Sequence, residues 1–461
     1  MNRRLNARLR MIRASYWFIP SVMALLAIGL GALMIWVDVR LGSNWIRGLS
    51  WYQQIRADGA REVLSTIAGS MVTVAGVVFS ITIVALSYAS SQYGPRVLTN
   101  FMSDRGNTVT LGTFIATFLY CLMVLRTIRG GDDDFVPQYA VIVAMLLAVC
   151  SIGVLIYFIH HVPQSIHINN VVGRIGRQLV RDARERFPAM IGSGRPEAQG
   201  APRVDPGPAA PVPAAATGYI QSIDEKRLLS LAVDADVLIR LRFRPGDFVM
   251  AGRGLAEAAP ADRWRDEHRE ELQQCFTVGN KRTPEHDLMF LVSELVEIAA
   301  RALSPGVNDP ITAVTCLDWL GAGGTEFASR AMPEPVRHDR SGVPRVVAEA
   351  DSFAFYVDRA FGRLRQYASA DVIAALHWLR VVGEVAATCR TAEQIWVIRR
   401  EAALFREQAE AALDGPDARQ VDERAQALQA LLARGVGGID AAQTEWLGGT
   451  AAGTPSLLVH R

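Results

Sequence analysis

Four stretches of this chain, Tyr16–Val37, Val63–Ala89, Val109–Leu125 and Tyr139–His161, are long, apolar and nearly free of charge. A helix needs about 20 apolar residues to cross the hydrocarbon core, where no water solvates an ion. Each stretch therefore reads as a membrane span. Tyr16 and Trp17 at one end of the first run, and Trp36 at the other, fit an aromatic belt. An arginine-rich start precedes that run, as in a secretory signal. The run is too long for a signal core, however, and it ends in Trp36-Val37-Asp38 rather than at a small-residue cleavage site. It is expected to be retained.

Basic residues orient the spans. Arg3, Arg4, Arg8, Arg10 and Arg13 precede the first, Arg96 and Arg105 join the second to the third, and Arg174, Arg177, Arg181, Arg184 and Arg186 follow the fourth. The opposite side has half as many, Arg40, Arg47, Arg56, Arg61, Arg126 and Arg129, plus the acidic run Asp132–Asp134. The excess of positive charge places both termini in the cytoplasm. In the outer loop Leu41–Glu62, Trp45, Trp51 and Tyr52 suggest a short interfacial helix, or a ligand-sensing surface.

The net charge of +2 argues against a polyanionic partner, and no arginine cluster alternates with aromatics, so nucleic acid is not expected. Cys121, Cys150, Cys275, Cys316 and Cys389 stand singly, without zinc or redox spacing, which suits a reduced compartment.

The second span is rich in small and hydroxylated residues. At 100° per residue Thr66, Gly69, Ser70, Thr73, Gly76, Ser80, Ser87 and Ser91 share about one third of the circumference, with Thr82 opposite. Small residues let backbones approach and hydroxyls bond across a contact. The stripe is therefore read as a packing face, at the bundle centre or at a seam between copies. The alternative is a polar lining for a solute path, although no charged residue sits in mid-span.

Val78-Phe79-Ser80-Ile81-Thr82-Ile83-Val84-Ala85-Leu86, followed by Ser90-Ser91-Gln92-Tyr93-Gly94-Pro95-Arg96, resembles a signature of the bacterial membrane-protein family known as domain of unknown function 2254. The stretch Arg301-Ala302-Leu303-Ser304-Pro305-Gly306-Val307-Asn308-Asp309-Pro310-Ile311-Thr312-Ala313 is similar to the same family, as is Phe158-Ile159-His160-His161. The resemblance runs to about residue 430. It implies a bacterial inner-membrane location and brings no reaction or ligand with it.

After the last span, Gln164–Met190 reads as an amphipathic helix whose Ile168, Val171, Val172, Ile175 and Leu179 lie on one face, with arginines between them. Such a helix suits either an anionic headgroup surface or a soluble neighbour. Residues 191–217, rich in Pro, Ala and Gly, read as a linker. Strands are expected over Gly218–Ile223, Ala235–Phe243 and Phe248–Gly252, with a turn at Pro245-Gly246-Asp247. This order resembles biotinyl and lipoyl carrier barrels, but the lysine-bearing hairpin is missing and no prosthetic group is expected. Helices follow at 285–303, 310–320, 351–367, 370–387, 391–413 and 417–434, with a hairpin at 335–349 and a Gly- and Ala-rich tail.

The expected fold is thus a four-helix transmembrane bundle (residues 1–162), an amphipathic helix (163–190), a linker (191–217), a small β-rich domain (218–260), a mainly α-helical cytoplasmic domain (261–434) and a tail (435–461).

Candidate sites are few. In Ser304–Thr312, Pro305 and Gly306 stop one helix, Asn308 or Asp309 can cap the next, and Pro310 suits its first turn. The rival reading groups Arg301, Asn308 and Asp309 in a polar pocket for an anion, a partner or a hydrolytic reaction. His160, His161 and His167 lie close in sequence, but adjacent helical histidines point about 100° apart and do not share an ion. His286-Asp287 with Glu294 and Glu297 offers paired carboxylates, more commonly a structural face. No phosphate loop, nucleophile elbow or zinc-protease spacing occurs. The expectation is a membrane-anchored structural or regulatory module, with no catalytic residue, metal or cofactor, whose partners are the bilayer and possible further copies of itself. An oligomeric channel or transporter is the alternative.

Overall fold

A computed structural model describes residues 17–41, 56–93, 105–129, 135–186, 207–284, 286–331, 334–349 and 351–438, with side chains at 41, 89–93 and 105 excepted. The N-terminal arginines, the aromatic outer loop, Asp132–Asp134, most of the 191–217 linker, the tail beyond 438 and the side chain of Ser91 lie outside the described residues. The chain divides into two compact units, Met1–Val171 and Val172–Arg461.

The first unit holds four helices long and apolar enough to cross a membrane: α1 (Phe18–Leu41), α2 (Ala57–Tyr93), α3 (Arg105–Leu125) and α4 (Gln138–Ile166). All four run past the expected limits. Helix α2 begins six residues before Val63, and α4 carries Pro163 inside its last turn rather than after it. The central helix is α3, which packs against each of the other three. Its Phe114, Tyr120, Cys121 and Val124 are buried, and the Thr117 and Ser151 hydroxyls bond across the α3–α4 contact at 3.0 Å. The Tyr120 hydroxyl donates to the Ala140 carbonyl at 3.0 Å. At the end of α1, the buried Asp38 carboxylate accepts the Tyr139 and Ala140 amides at 2.9 and 3.0 Å. A carboxylate placed there satisfies orphan amides and opposes the positive end of α4.

The second unit begins in α5 (Ile168–Arg186), whose apolar stripe is buried against protein. A mixed β/α part follows: β1 (Ala210–Pro213), β2 (Gly218–Ile223), α6 (Glu225–Asp234), β3 (Leu238–Leu241), β4 (Phe248–Val249), β5 (Gly254–Ala259), α7 (Asp266–Gln274) and β6 (Phe276–Gly279). The expected hairpin region supplies β7 (Val336–His338) and β8 (Pro344–Val347). One sheet has the order β1-β5-β3-β8-β7 and the other β4-β2-β6. Residues of both sheets and of α6 and α7, among them Val212, Ile220, Leu228, Ile239, Leu272 and Val346, share one apolar cluster.

This is an α+β part rather than a carrier-like barrel. It reaches beyond residues 218–260 at both ends, and β8 joins β3 in parallel from about a hundred residues downstream. Sequence neighbours alone cannot report such a pairing. The linker region also contributes β1, whose Pro211 and Pro213 are tolerable because β1 is an edge strand. The expected strand at Ala235–Phe243 shortens to β3 because Asp236 takes a left-handed φ of 50°.

The helical part contains α8 (Leu288–Ala302), α9 (Pro310–Ser329), α10 (Phe353–Val357), α11 (Arg365–Ala368), α12 (Val372–Ala387), α13 (Ala392–Ala412) and α14 (Gly415–Leu432). Helix α9 continues nine residues past the expected end at 320. Aromatics from α9, α10, α12 and α13 stack inside this part, with Phe327 on Tyr356 at 4.5 Å and Trp378 on Phe405 at 4.0 Å.

Candidate functional site

The hydroxylated face of α2 does not pack at the centre of the bundle. Thr66, Gly69, Ser70, Thr73, Gly76, Ser80 and Ser87 are exposed, while Ala60, Leu64, Ala68, Met71, Val78, Thr82 and Ala85 face the other helices. The Ser70, Thr73 and Ser80 hydroxyls donate to the carbonyls of Thr66, Gly69 and Gly76 at 2.7–3.0 Å. A hydroxyl closed on its own helix is tolerable against lipid. The physical reason for the placement is shape: α3 offers larger side chains that interlock, whereas nothing lies within 4 Å of where a Cβ on Gly69 or Gly76 would stand.

In the second unit, Asp309 is the N-cap of α9. One carboxylate oxygen accepts the Thr312 amide at 3.1 Å and the other accepts the Thr312 hydroxyl at 2.5 Å. Asn308 supplies the left-handed residue of the turn, with φ of 50°. The Val307 and Asn308 amides donate back to Ser304, and the Asp309 amide to Ala302. Arg301 ends α8, and its carbonyl accepts the Ser304 hydroxyl at 2.6 Å. The loop is therefore closed by its own hydrogen bonds, and Pro305, Gly306, Val307 and Asn308 are exposed on it.

The other flagged groups separate. His160 meets Gln164, His161 stacks on Tyr157 at 5.0 Å, and His167 follows α4 as its C-cap. Asp287 caps α8 by accepting the Phe290 amide at 3.1 Å, and it pairs with Arg282 at 2.7 Å. Burial pushes its carboxyl above the ordinary value against the pull of Arg282. Glu294 is buried two turns further along α8.

Sequence reading missed a cavity of about 510 Å³ in the second unit. Leu228 and Leu229 of α6, Leu241 of β3 and Val346 of β8 make its apolar lining, with Lys226, Arg244 and Arg337 among its charged residues. Arg244 is held by Glu349 at 2.9 Å and by Asp351 at 3.3 Å. Glu225 and Glu349 line it as well, so its charged groups are of both signs. Arg301, Asn308 and Asp309 do not line it. One available signal was Lys226, since the chain has only one other lysine, Lys281.

A family model described as "Predicted membrane protein (DUF2254)" matches residues 13–384. Uncharacterised proteins of Mycobacterium bovis and Mycobacterium tuberculosis are each 32% identical over 402 residues, covering 84% of this chain and 75% of theirs. No solved structure matches the chain.

Proposed function

Because the chain belongs to the family of predicted membrane proteins with domain of unknown function 2254, we propose that it is a membrane-anchored structural or regulatory module without catalytic activity. It lies in the bacterial inner membrane with both termini in the cytoplasm, and copies associate through α2. The observation that carries this reading is the outward face of α2. Gly69 and Gly76 leave a shallow groove between Thr66, Thr73, Ser80 and Ser87, where a second backbone can approach closely. The Asp309 and Asp287 carboxylates, bonded as helix caps, favour a structural role over chemistry.

Oxidative cross-linking of the full chain in membranes tests the seam. With the exposed Cys150 replaced by serine, a Ser80→Cys variant should trap a dimer, whereas a cysteine at the buried Ala68 should not. Monomeric native mass together with no Ser80 cross-link would remove the proposal.

A second reading rests on the same face. A solute path would require several copies to bring their hydroxyl stripes together around one axis. Under it, proteoliposomes conduct, and Thr73→Leu with Ser80→Leu abolishes the flux. Under the anchor reading, native proteoliposomes show no flux to abolish.

A further inference from the structure

Three helices of the second unit run side by side in one direction. Along α5 and α9, Gly176 abuts Trp319, Gly323 lies against Leu179, and Arg184 pairs with Glu326 at 2.7 Å. Along α9 and α12, Asp318 meets His377 at 2.6 Å, and Gly321 and Gly324 lie against Val381 and Val385. Partners advance together in every case, so α5, α9 and α12 all start at the same end. Helix α8 returns into α9 through residues 303–309, which places that loop at this end too.

The end is apolar where it should be polar. Val307 is 40% exposed, Ile311 64% and Ile373 48%, on the loop, the first turn of α9 and the first turn of α12. It is also the end that the chain reaches directly from α4, with His167 alone between the two helices. From Ile166 to Val172 a fully extended chain would span at most about 20 Å, and as helix α5 the same residues rise less than half of that.

We infer that this end of the second unit, carrying Val307, Ile311 and Ile373, is a membrane-contact surface that seats these side chains in the interfacial layer of the bilayer. Branched aliphatic side chains partition into the boundary between headgroups and acyl chains. The occupant is phospholipid. The inference stands whether or not α2 self-associates, because it concerns a different unit.

The test uses the full chain, reconstituted in vesicles of phosphatidylcholine and phosphatidylglycerol. The exposed Cys150 is replaced by serine, and the other four cysteines are buried. Single cysteines at Val307, Ile311 and Ile373 carry an environment-sensitive fluorophore. A fourth, at the exposed Arg390 beyond the far end of α12, is the reference. It lies about 25 Å along the helix axis from Ile373.

Lipids bearing a nitroxide near the headgroup should quench the first three labels at least about twofold more than the fourth, with blue-shifted emission. Adding Ile311→Asp should return the Val307 label to the reference value, with the thermal midpoint unchanged. Equal quenching at all four sites would overturn the inference. So would fluorophore self-quenching at Val307 that is relieved by unlabelled protein without any response to nitroxide lipid, because a second copy would then cover the surface.

Discussion

Single side chains in this protein act mainly by ending helices correctly. Asp309 holds both the amide and the hydroxyl of Thr312, so Asp309→Ala removes two bonds at the start of a 20-residue helix. The expected loss is about 1–2 kcal/mol, read from thermal or urea unfolding in detergent, with Asp309→Asn retaining most of the stability. Next to it, Asn308→Gly should be close to neutral, because the left-handed backbone there suits glycine, whereas Asn308→Val should destabilise. Asp287 carries a pH signature. Burial raises its folded pKa above the unfolded value, so the folded chain holds the proton more tightly. That stabilisation is complete below the unfolded value and is lost as pH rises through the folded one. The Asp287→Asn midpoint, measured relative to the native chain, should therefore rise as pH increases above the ordinary carboxylate range.

Among the elements, α5 shows how an amphipathic pattern finds its partner. Its Val172, Ile175, Leu179 and Ala183 are buried within the second unit rather than laid on headgroups. Each large apolar side chain so buried is worth about 1.5–3 kcal/mol. The contact depends on Gly176, because any Cβ there would overlap the Trp319 indole. Gly176→Leu should release α5 and expose Arg177 and Arg181 to limited trypsin digestion at rates well above those of the native chain. In the bundle, Gly112 faces Met23 and Pro20 of α1 at a similarly close approach. Gly112→Leu should separate α1 from α3 and lower the detergent midpoint, while Gly69→Leu on the open face of α2 should leave the isolated subunit intact and weaken only its association.

At the scale of the whole molecule, the two units meet in sequence at Val171 and Val172, inside α5. Most of this helix belongs with the second unit even though it follows the last apolar helix almost without a break. A fragment starting at residue 168 should accordingly remain monodisperse on size exclusion. One starting at residue 187 should aggregate, because the surface of α9 that Gly176 and Leu179 cover would face water. The mixed sheet ties distant segments of the unit together, since β3 pairs with β8 across the whole of α8 and α9. Arg244 adds a polar tie from just beyond β3 to Glu349 and Asp351.

Much of this architecture was legible in the residues themselves. The four apolar runs, the amphipathic stripe of α5 and the stop-and-cap grammar of Pro305-Gly306 and Asp309-Pro310 are local properties, written in length, period and backbone preference. Tertiary structure alone decided which span is central, which face of α2 is left open, what α5 covers, and how a cavity forms between α6, β3 and β8. The reason is physical. A helix destined for lipid is apolar all round, so hydrophobicity does not mark its packed face, and the fit of particular shapes settles it. Strand partners about a hundred residues apart likewise meet only when the intervening helices have folded and brought them side by side.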